Sequence, residues 1–258
     1  MISLITRVQN TGLNARMVCS ALGTSLGGVG LEFVSAPNPE GLPIIAPTYN
    51  RLAERAKGDI LLFVHDDIEF VEEGWDARLV ETFADGNFDV LGVVGVDKYD
   101  GGQLVSAGHP HTFGKFMNRS GNELKVNIYG PRVGSRAMAA ADGMFMAVRA
   151  EHFKRVKFDE KLDGLFFYDI DYCLRSSTGL VDILVAHYKP PELYGKYPKG
   201  MKPMEAYEPY FYAKHDLKGN VKAGDTRALS VSREDYERHG HDALFKLFQE
   251  KYKTHANA

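Results

Sequence analysis

The chain has 258 residues, 44% apolar and 25% charged, with 31 basic and 34 acidic side chains giving a formal net charge of −3. That balance suits one large globular domain or two small ones, argues against disorder, and gives no electrostatic reason to expect DNA or RNA as a general partner. Two cysteines, Cys19 and Cys173, are too few for a disulfide framework or a Cys-only zinc site.

The opening MISLITRVQNTG lacks the basic lead and small-residue cleavage site of a secretory signal. The longest apolar runs, ILLFV and VLGVVGV, fall far short of the roughly 20 residues that cross a bilayer. A cytoplasmic address without integral membrane contact is the expectation. In chain order, ISLITRV reads as a strand, NARMVCSAL as a short helix and LEFVSA as a second strand. IIAPTYNRLAERAKG predicts a helix with an early Pro, because Ile45, Tyr49, Leu52 and Ala56 recur at helical spacing and Gly58 offers a stop. The strand DILLFV follows, then a helix in EEGWDARLVETFAD with Trp75, Leu79 and Phe83 on one face, then a strand in FDVLGVVGV. Strands alternating with helices imply an α/β fold with a mostly parallel sheet covered on both faces.

After residue 98 the pattern loosens into Gly-rich pieces around QLVSAG and LKVNIYG, which read as a small antiparallel addition. Order returns with the strand GMFMAV, a helix from about Ala150, a helix around YDIDYCLRSS and a strand VDILVAHY ending at His187. Residues 189–218 read as a long, lid-like loop, and SREDYERHGHDALFKLFQEKY as a capped terminal helix. No linker or repeat divides the chain.

The stretch ILLFVHDDIEF drives an apolar strand into His65, Asp66 and Asp67. In an open α/β sheet the carboxyl ends of the strands border the ligand crevice. Clustered carboxylates repel unless something positive lies between them, so a divalent cation is implied, Mg²⁺ or Mn²⁺, with His better tolerated by Mn²⁺. The alternative is that Asp66 or Asp67 only caps the turn that follows.

This strand with its acidic end, the later Gly74-Trp75-Asp76, and ADGMFMAVRAEHFKRVKFDEKLDGLFFYDIDYCLR together resemble family-2-like nucleotide-sugar glycosyltransferases of the GT-A fold. The similarity runs from about Met1 to His187. It implies one catalytic domain over 1–258, with a nucleotide-binding half (1–97), an acceptor and catalytic half (98–187) and a loop and helical tail (188–258). It also implies metal-dependent transfer of a sugar from a nucleoside diphosphate sugar, a uridine rather than guanosine donor, to an acceptor hydroxyl.

The family's Asp-x-Asp signature falls on His65-x-Asp67. Asp67 is then the expected metal ligand, and His65 and Asp66 compete for the second role, to the metal or the ribose. The resemblance further places Asp142 and Gly143 in the donor-sugar and acceptor pocket. It also places Tyr168 there, in register with the family's Glu of Glu-Asp-x-Asp.

Asp169 and Asp171 sit roughly 200° apart on a helix, so both cannot face one cleft. Asp171 has the spacing for an ion pair with Arg175, which leaves Asp169. Asp169 resembles the family's general base for inverting attack. A first-turn carboxylate satisfying the helix dipole is the competing role. His187 corresponds to a third metal ligand after the late strand. Thr6, Arg7 and the adjoining Val8 resemble the place where base and ribose bind, and Asn50, Arg51 and Lys57 the helix that contacts the base. Lys196, Tyr197, Lys199 and Lys202 are candidates to close over the diphosphate.

Two other functions compete: a metal phosphohydrolase, whose His-Asp pairs are normally on helices rather than after a strand, and a non-catalytic carbohydrate-binding relic of the fold. The acceptor stays open between a glycan, a protein, a lipid-linked sugar and a modified nucleic acid base, as does the oligomeric state.

Overall fold

All seven residues of the first strand, β1 (Ile2–Val8), are buried, as a central strand covered on both faces requires. The computed structural model describes residues 1–37, 44–101, 111–120, 123–132, 136–188, 202–217 and 228–253. After β1, the Asn10 side chain accepts from the amides of Gly12 and Leu13 and so starts α1 (Thr11–Thr24). Then come β2 (Leu31–Pro37), α2 (Ala46–Ala53) with Pro47 in its first turn, β3 (Ile60–Val64), β4 (Ile68–Phe70) and α3 (Trp75–Asp85). The helix predicted up to Gly58 therefore ends at Ala53.

The run FDVLGVVGV is not one strand. It breaks at Val93 into β5 (Val90–Gly92) and β6 (Val94–Val96), which lie in different sheets. The chain continues with β7 (Thr112–Ser120), β8 (Glu123–Tyr129), β9 (Ala137–Met138), β10 (Ala140–Ala141), β11 (Phe145–Arg149), α4 (Ala150–Arg155) and α5 (Tyr168–Leu174). VDILVAHY also contributes less strand than expected: β12 (Thr178–Leu180) precedes it and only β13 (Val185–His187) lies within it. The predicted loop holds a 3-10 turn (Met204–Ala206) and α6 (Glu208–Lys214). QLVSAG, Lys196, Tyr197 and Lys199 lie outside the described residues. The end of the chain is β14 (Leu229–Ser232) and α7 (Arg233–Lys253), where the Ser232 hydroxyl caps by accepting from the Asp235 amide and Gly240, at φ 74°, kinks the helix.

The first sheet has the order β2-β1-β3-β11-β5-β12-β9. β2, β1 and β3 are mutually parallel, and β5 and β12 run the same way, whereas β11 is antiparallel to both β3 and β5 and β9 opposes β12. The expected parallel sheet is thus present with two reversed strands. The antiparallel addition is larger than expected: a second, seven-stranded sheet, β10-β6-β7-β13-β4 with β8 and β14 alongside. Its pairs are antiparallel except β7 with β13.

Helices cover both faces of the first sheet. Trp75, fully buried, donates its indole N–H to the Ala21 carbonyl at 3.1 Å and fixes α3 to α1. On the other face Tyr49, Phe63, Phe153, Phe158 and Tyr172 pack ring against ring. Among the described residues, no helix is long and apolar enough to cross a membrane.

Candidate active site

The carboxyl ends of β1 and β3, the turn before β11, the start of α5 and the end of β13 meet at one crevice. His65 follows β3, and its backbone amide donates to the Met144 carbonyl at 3.1 Å. Asp67 leads into β4, and its carbonyl accepts from the Tyr188 amide at 2.7 Å, which brings the end of β13 alongside. His187 Nε2 then lies 3.3 Å from Asp67 Oδ2. Ligand atoms of His65, Asp67 and His187 all fall within 4.8 Å of one another, the arrangement a metal ion needs.

Two observations test the fit of a cation. Among the described residues, the buried Asp67 Oδ1 has no hydrogen-bond partner, and a cation would satisfy this anionic oxygen. Burial pushes the Asp67 carboxyl up, but His187 and His65 outweigh it and hold the group below the ordinary carboxylate range. Burial pulls the His65 ring below the ordinary imidazole value, against the opposing charge of Asp67. One carboxylate and two imidazoles suit Mn²⁺ better than Mg²⁺, which prefers an all-oxygen shell.

Asp66 does not join this group. Its Oδ2 accepts from the amides of Gln9 at 2.6 Å and Asn10 at 2.7 Å, so it shapes the loop between β1 and α1. Of the two candidates for the second role, His65 and not Asp66 lies in this group. Arg7 is buried at the end of β1, near enough to Tyr49, Asp66 and Tyr168 to interact electrostatically. Burial pulls its guanidinium below the usual arginine value while those neighbours oppose the shift. The Thr6 hydroxyl is buried and has no hydrogen-bond partner among the described residues.

Across the crevice, Asp169 sits in the first turn of α5. Its Oδ2 accepts from the Gly143 amide at 2.8 Å and its Oδ1 from the Ile170 amide at 2.9 Å. Burial, followed by the repulsion of Asp142, pushes the Asp169 carboxyl up to about 7. A carboxyl near neutrality is poised to take and return a proton. Asp142 turns back to accept from the Met144 amide at 2.9 Å. Gly143 is required here, because a Cβ would collide with the Tyr168 hydroxyl. That hydroxyl meets His65 Nε2 at 3.0 Å and so links the two sides of the crevice.

α5 begins at Phe167, a non-glycine residue at φ 65°. Such a left-handed backbone costs about 1–2 kcal/mol, and the Phe167 ring stacks on Phe211 of α6 at 4.4 Å. Asp171, fully buried, pairs with Arg175 at 2.7 Å as its spacing predicts, and also with Lys214 at 2.6 Å and His215 at 2.8 Å.

Asn50, Lys57 and Lys202 make contacts outside this group. The Asn50 amide is committed to the Phe158 backbone and Glu160, so it staples α2 to the segment before α5. Lys57 precedes β3, and its amide donates to Glu32 at the opposite edge of the sheet. Arg51 is exposed in the last turn of α2. Lys202 pairs with Asp163 at 3.4 Å. Sequence reasoning counted Tyr49 only as part of a helical face. Its ring lies 6.2 Å from that of Tyr168, and its hydroxyl donates to the Val64 carbonyl at 3.4 Å.

A Ser-His-Asp set also occurs at the far edge, with His152 2.8 Å from Ser176 and 3.2 Å from Asp89. The Ser176 hydroxyl donates to the Tyr172 carbonyl in the last turn of α5, so its proton is directed away from His152. These residues serve to tie α4 to α5 and β5.

No curated protein matches the sequence. Among solved structures, S. aureus TarS 1-349 in complex with UDP-GlcNAc matches with a TM-score of 0.52 and 12% identity over 86% of this chain and 68% of its own. GalNAc-T7 with UDP, GalNAc and Mn²⁺ matches with a TM-score of 0.53 and 13% identity, over 84% of this chain and 50% of that one. This chain thus spans half of the GalNAc-T7 chain, and at such identities the likeness speaks for the fold, GT-A. A family model described as "Glycosyltransferase like family" matches residues 24–214, well over half of the 258. The chain therefore belongs to the glycosyltransferase-like family and carries the GT-A fold.

Proposed function

We propose that the protein transfers a sugar from a uridine diphosphate sugar to an acceptor hydroxyl, with inversion at the anomeric carbon and with a divalent cation, Mn²⁺ over Mg²⁺. The observation that carries this reading is the grouping of His65, Asp67 and His187, with Asp67 Oδ1 buried and without a hydrogen-bond partner among the described residues, across the crevice from Asp169. The nucleotides in the two similar structures, and the Mn²⁺ in one, support the donor class and the ion. Family membership favours transfer over phosphoester hydrolysis.

In this reading His65, Asp67 and His187 hold the cation, which supplies Lewis-acid stabilisation of the charge on the departing diphosphate. The buried Thr6 hydroxyl and Arg7, at the end of β1, bind the nucleotide. The amides of Gly143 and Ile170 hold the Asp169 carboxylate in place. Asp169 takes the acceptor hydroxyl's proton as the new bond to the anomeric carbon forms and the bond to the diphosphate breaks, so UDP leaves. Asp142, by repelling the ionised form of Asp169, keeps that base strong.

A thermal-shift panel of UDP, GDP and their sugars with Mn²⁺, Mg²⁺ or chelator tests the reading. A ligand at 100 times its Kd stabilises the folded state by about 2.7 kcal/mol. The expected result is a UDP-dependent shift that needs Mn²⁺ and disappears in Asp67→Ala. A shift indifferent to the cation, or none with any uridine nucleotide, refutes it.

A further inference from the structure

The cation site does not by itself account for one contact. Tyr168 is almost fully buried, yet its hydroxyl is spent on His65 Nε2, at 3.0 Å. Histidine ligands commonly donate their second ring N–H to a neighbouring oxygen, which fixes the tautomer and ring orientation and raises ligand basicity. With Nε2 facing Tyr168, the ring nitrogen left for an ion is Nδ1.

The surroundings fix Tyr168 firmly. Its ring packs against Tyr49 at 6.2 Å and Phe158 at 5.9 Å. Its hydroxyl end fills the space that a side chain at position 143 would need. The His65 backbone is held as well, through its amide bond to the Met144 carbonyl. Both partners are therefore held before any ion arrives, so little ordering is left to do on binding.

We propose that Tyr168 is a positioning residue for the cation site: its oxygen accepts the Nε2 proton of His65, and the ring thereby presents the bare Nδ1 to a borderline cation such as Mn²⁺. The proposal rests on the metal-site reading above and adds a residue that acts on the ion through His65.

The test uses the full chain and needs no turnover. Mn²⁺ binding is followed by the loss of the free-ion paramagnetic resonance signal, with and without UDP, for the wild type, Tyr168→Phe and Asp67→Ala. Wild-type protein should bind, Asp67→Ala should not, and Tyr168→Phe should bind roughly 10- to 100-fold more weakly. Nitrogen NMR of histidine-labelled wild type, with His65 identified by the signal lost in His65→Gln, gives a second readout that does not depend on how Tyr168→Phe folds. Protonated Nε2, with Nδ1 shifting on addition of Zn²⁺, supports the proposal. Protonated Nδ1, or wild-type Mn²⁺ affinity in Tyr168→Phe, overturns it and leaves the cation site standing. No Mn²⁺ binding by the wild type, with or without UDP, overturns both.

Discussion

Asp169 and Asp171 stand two residues apart on the short helix α5, and their surroundings are opposite. Asp171 faces α6 and is surrounded by Arg175, Lys214 and His215. A buried carboxylate needs such compensation, and here it fastens α6 over the strained start of α5. Asp169 faces the crevice, takes its hydrogen bonds from two backbone amides, and has Asp142 as its charged neighbour, so ionisation is made harder. The difference teaches where this protein uses charge for structure and where it holds charge back for chemistry.

That contrast is most directly broken at Asp169. Asp169→Asn keeps the amide contacts in outline and removes the base, so turnover of the donor should fall by roughly 10²- to 10⁴-fold while the UDP-induced thermal shift persists. Near-normal turnover would remove the assignment. Asp171→Ala should act the other way round. Stranding its cations should cost about 3–5 kcal/mol in denaturant unfolding, and a midpoint close to wild type would show that α6 is held by its aromatic contacts instead.

The pH profile sharpens the comparison. Because the folded value of Asp169 is raised from 3.8 to about 7, the folded protein keeps a proton that the unfolded chain gives up between those values. Its stability contribution is complete below the lower value and is lost as pH rises through about 7. Relative to Asp169→Asn, wild-type Tm should therefore drop across that window. Over the same range kcat/KM should rise about tenfold per pH unit to a plateau, since only the ionised form accepts a proton. A flat profile would separate Asp169 from proton transfer.

Smaller effects are expected from substitutions that leave both carboxylates in place. Gly143→Ala forces a methyl against the Tyr168 hydroxyl and the Asp169 Cβ, 3.0 Å away. It should cost about 1–3 kcal/mol of stability. Lys202→Ala, which removes an exposed pair with Asp163, should change stability by no more than about 0.5 kcal/mol. A larger loss would give that lysine a role that its position does not suggest.

The grouping of His65, Asp67 and His187 was legible in the sequence because an apolar strand that runs into His65-Asp66-Asp67 buries repelling charge unless a cation joins it, and because His187 ends a similar run. The assignment of Asp66 was not, since its partners are amides of Gln9 and Asn10, more than fifty residues away in sequence. FDVLGVVGV and VDILVAHY carry no local break, so a sequence reading cannot see the chain leave one sheet for another. Asn50 and Lys57 were read from residue type near a helix, whereas the Asn50 side chain is fixed by tertiary contacts with residues 158–160 and the Lys57 backbone amide is bound to Glu32. The seven-residue α6 shows too little periodicity to stand out, and Phe167 gives no hint of a backbone that a glycine would have announced.

The split at Val93 has its counterpart at the proposed cation site. His65 hangs from the last residue of β3 in the first sheet, while Asp67 and His187 belong to the β4–β13 edge of the second. Any ion gripping all three is a rivet across the seam between the sheets. Its binding free energy then resists their parting, and amide hydrogen exchange in β4 and β13 should slow on loading and quicken again with chelator. The cation supply would set how tightly the crevice is held together before any donor arrives.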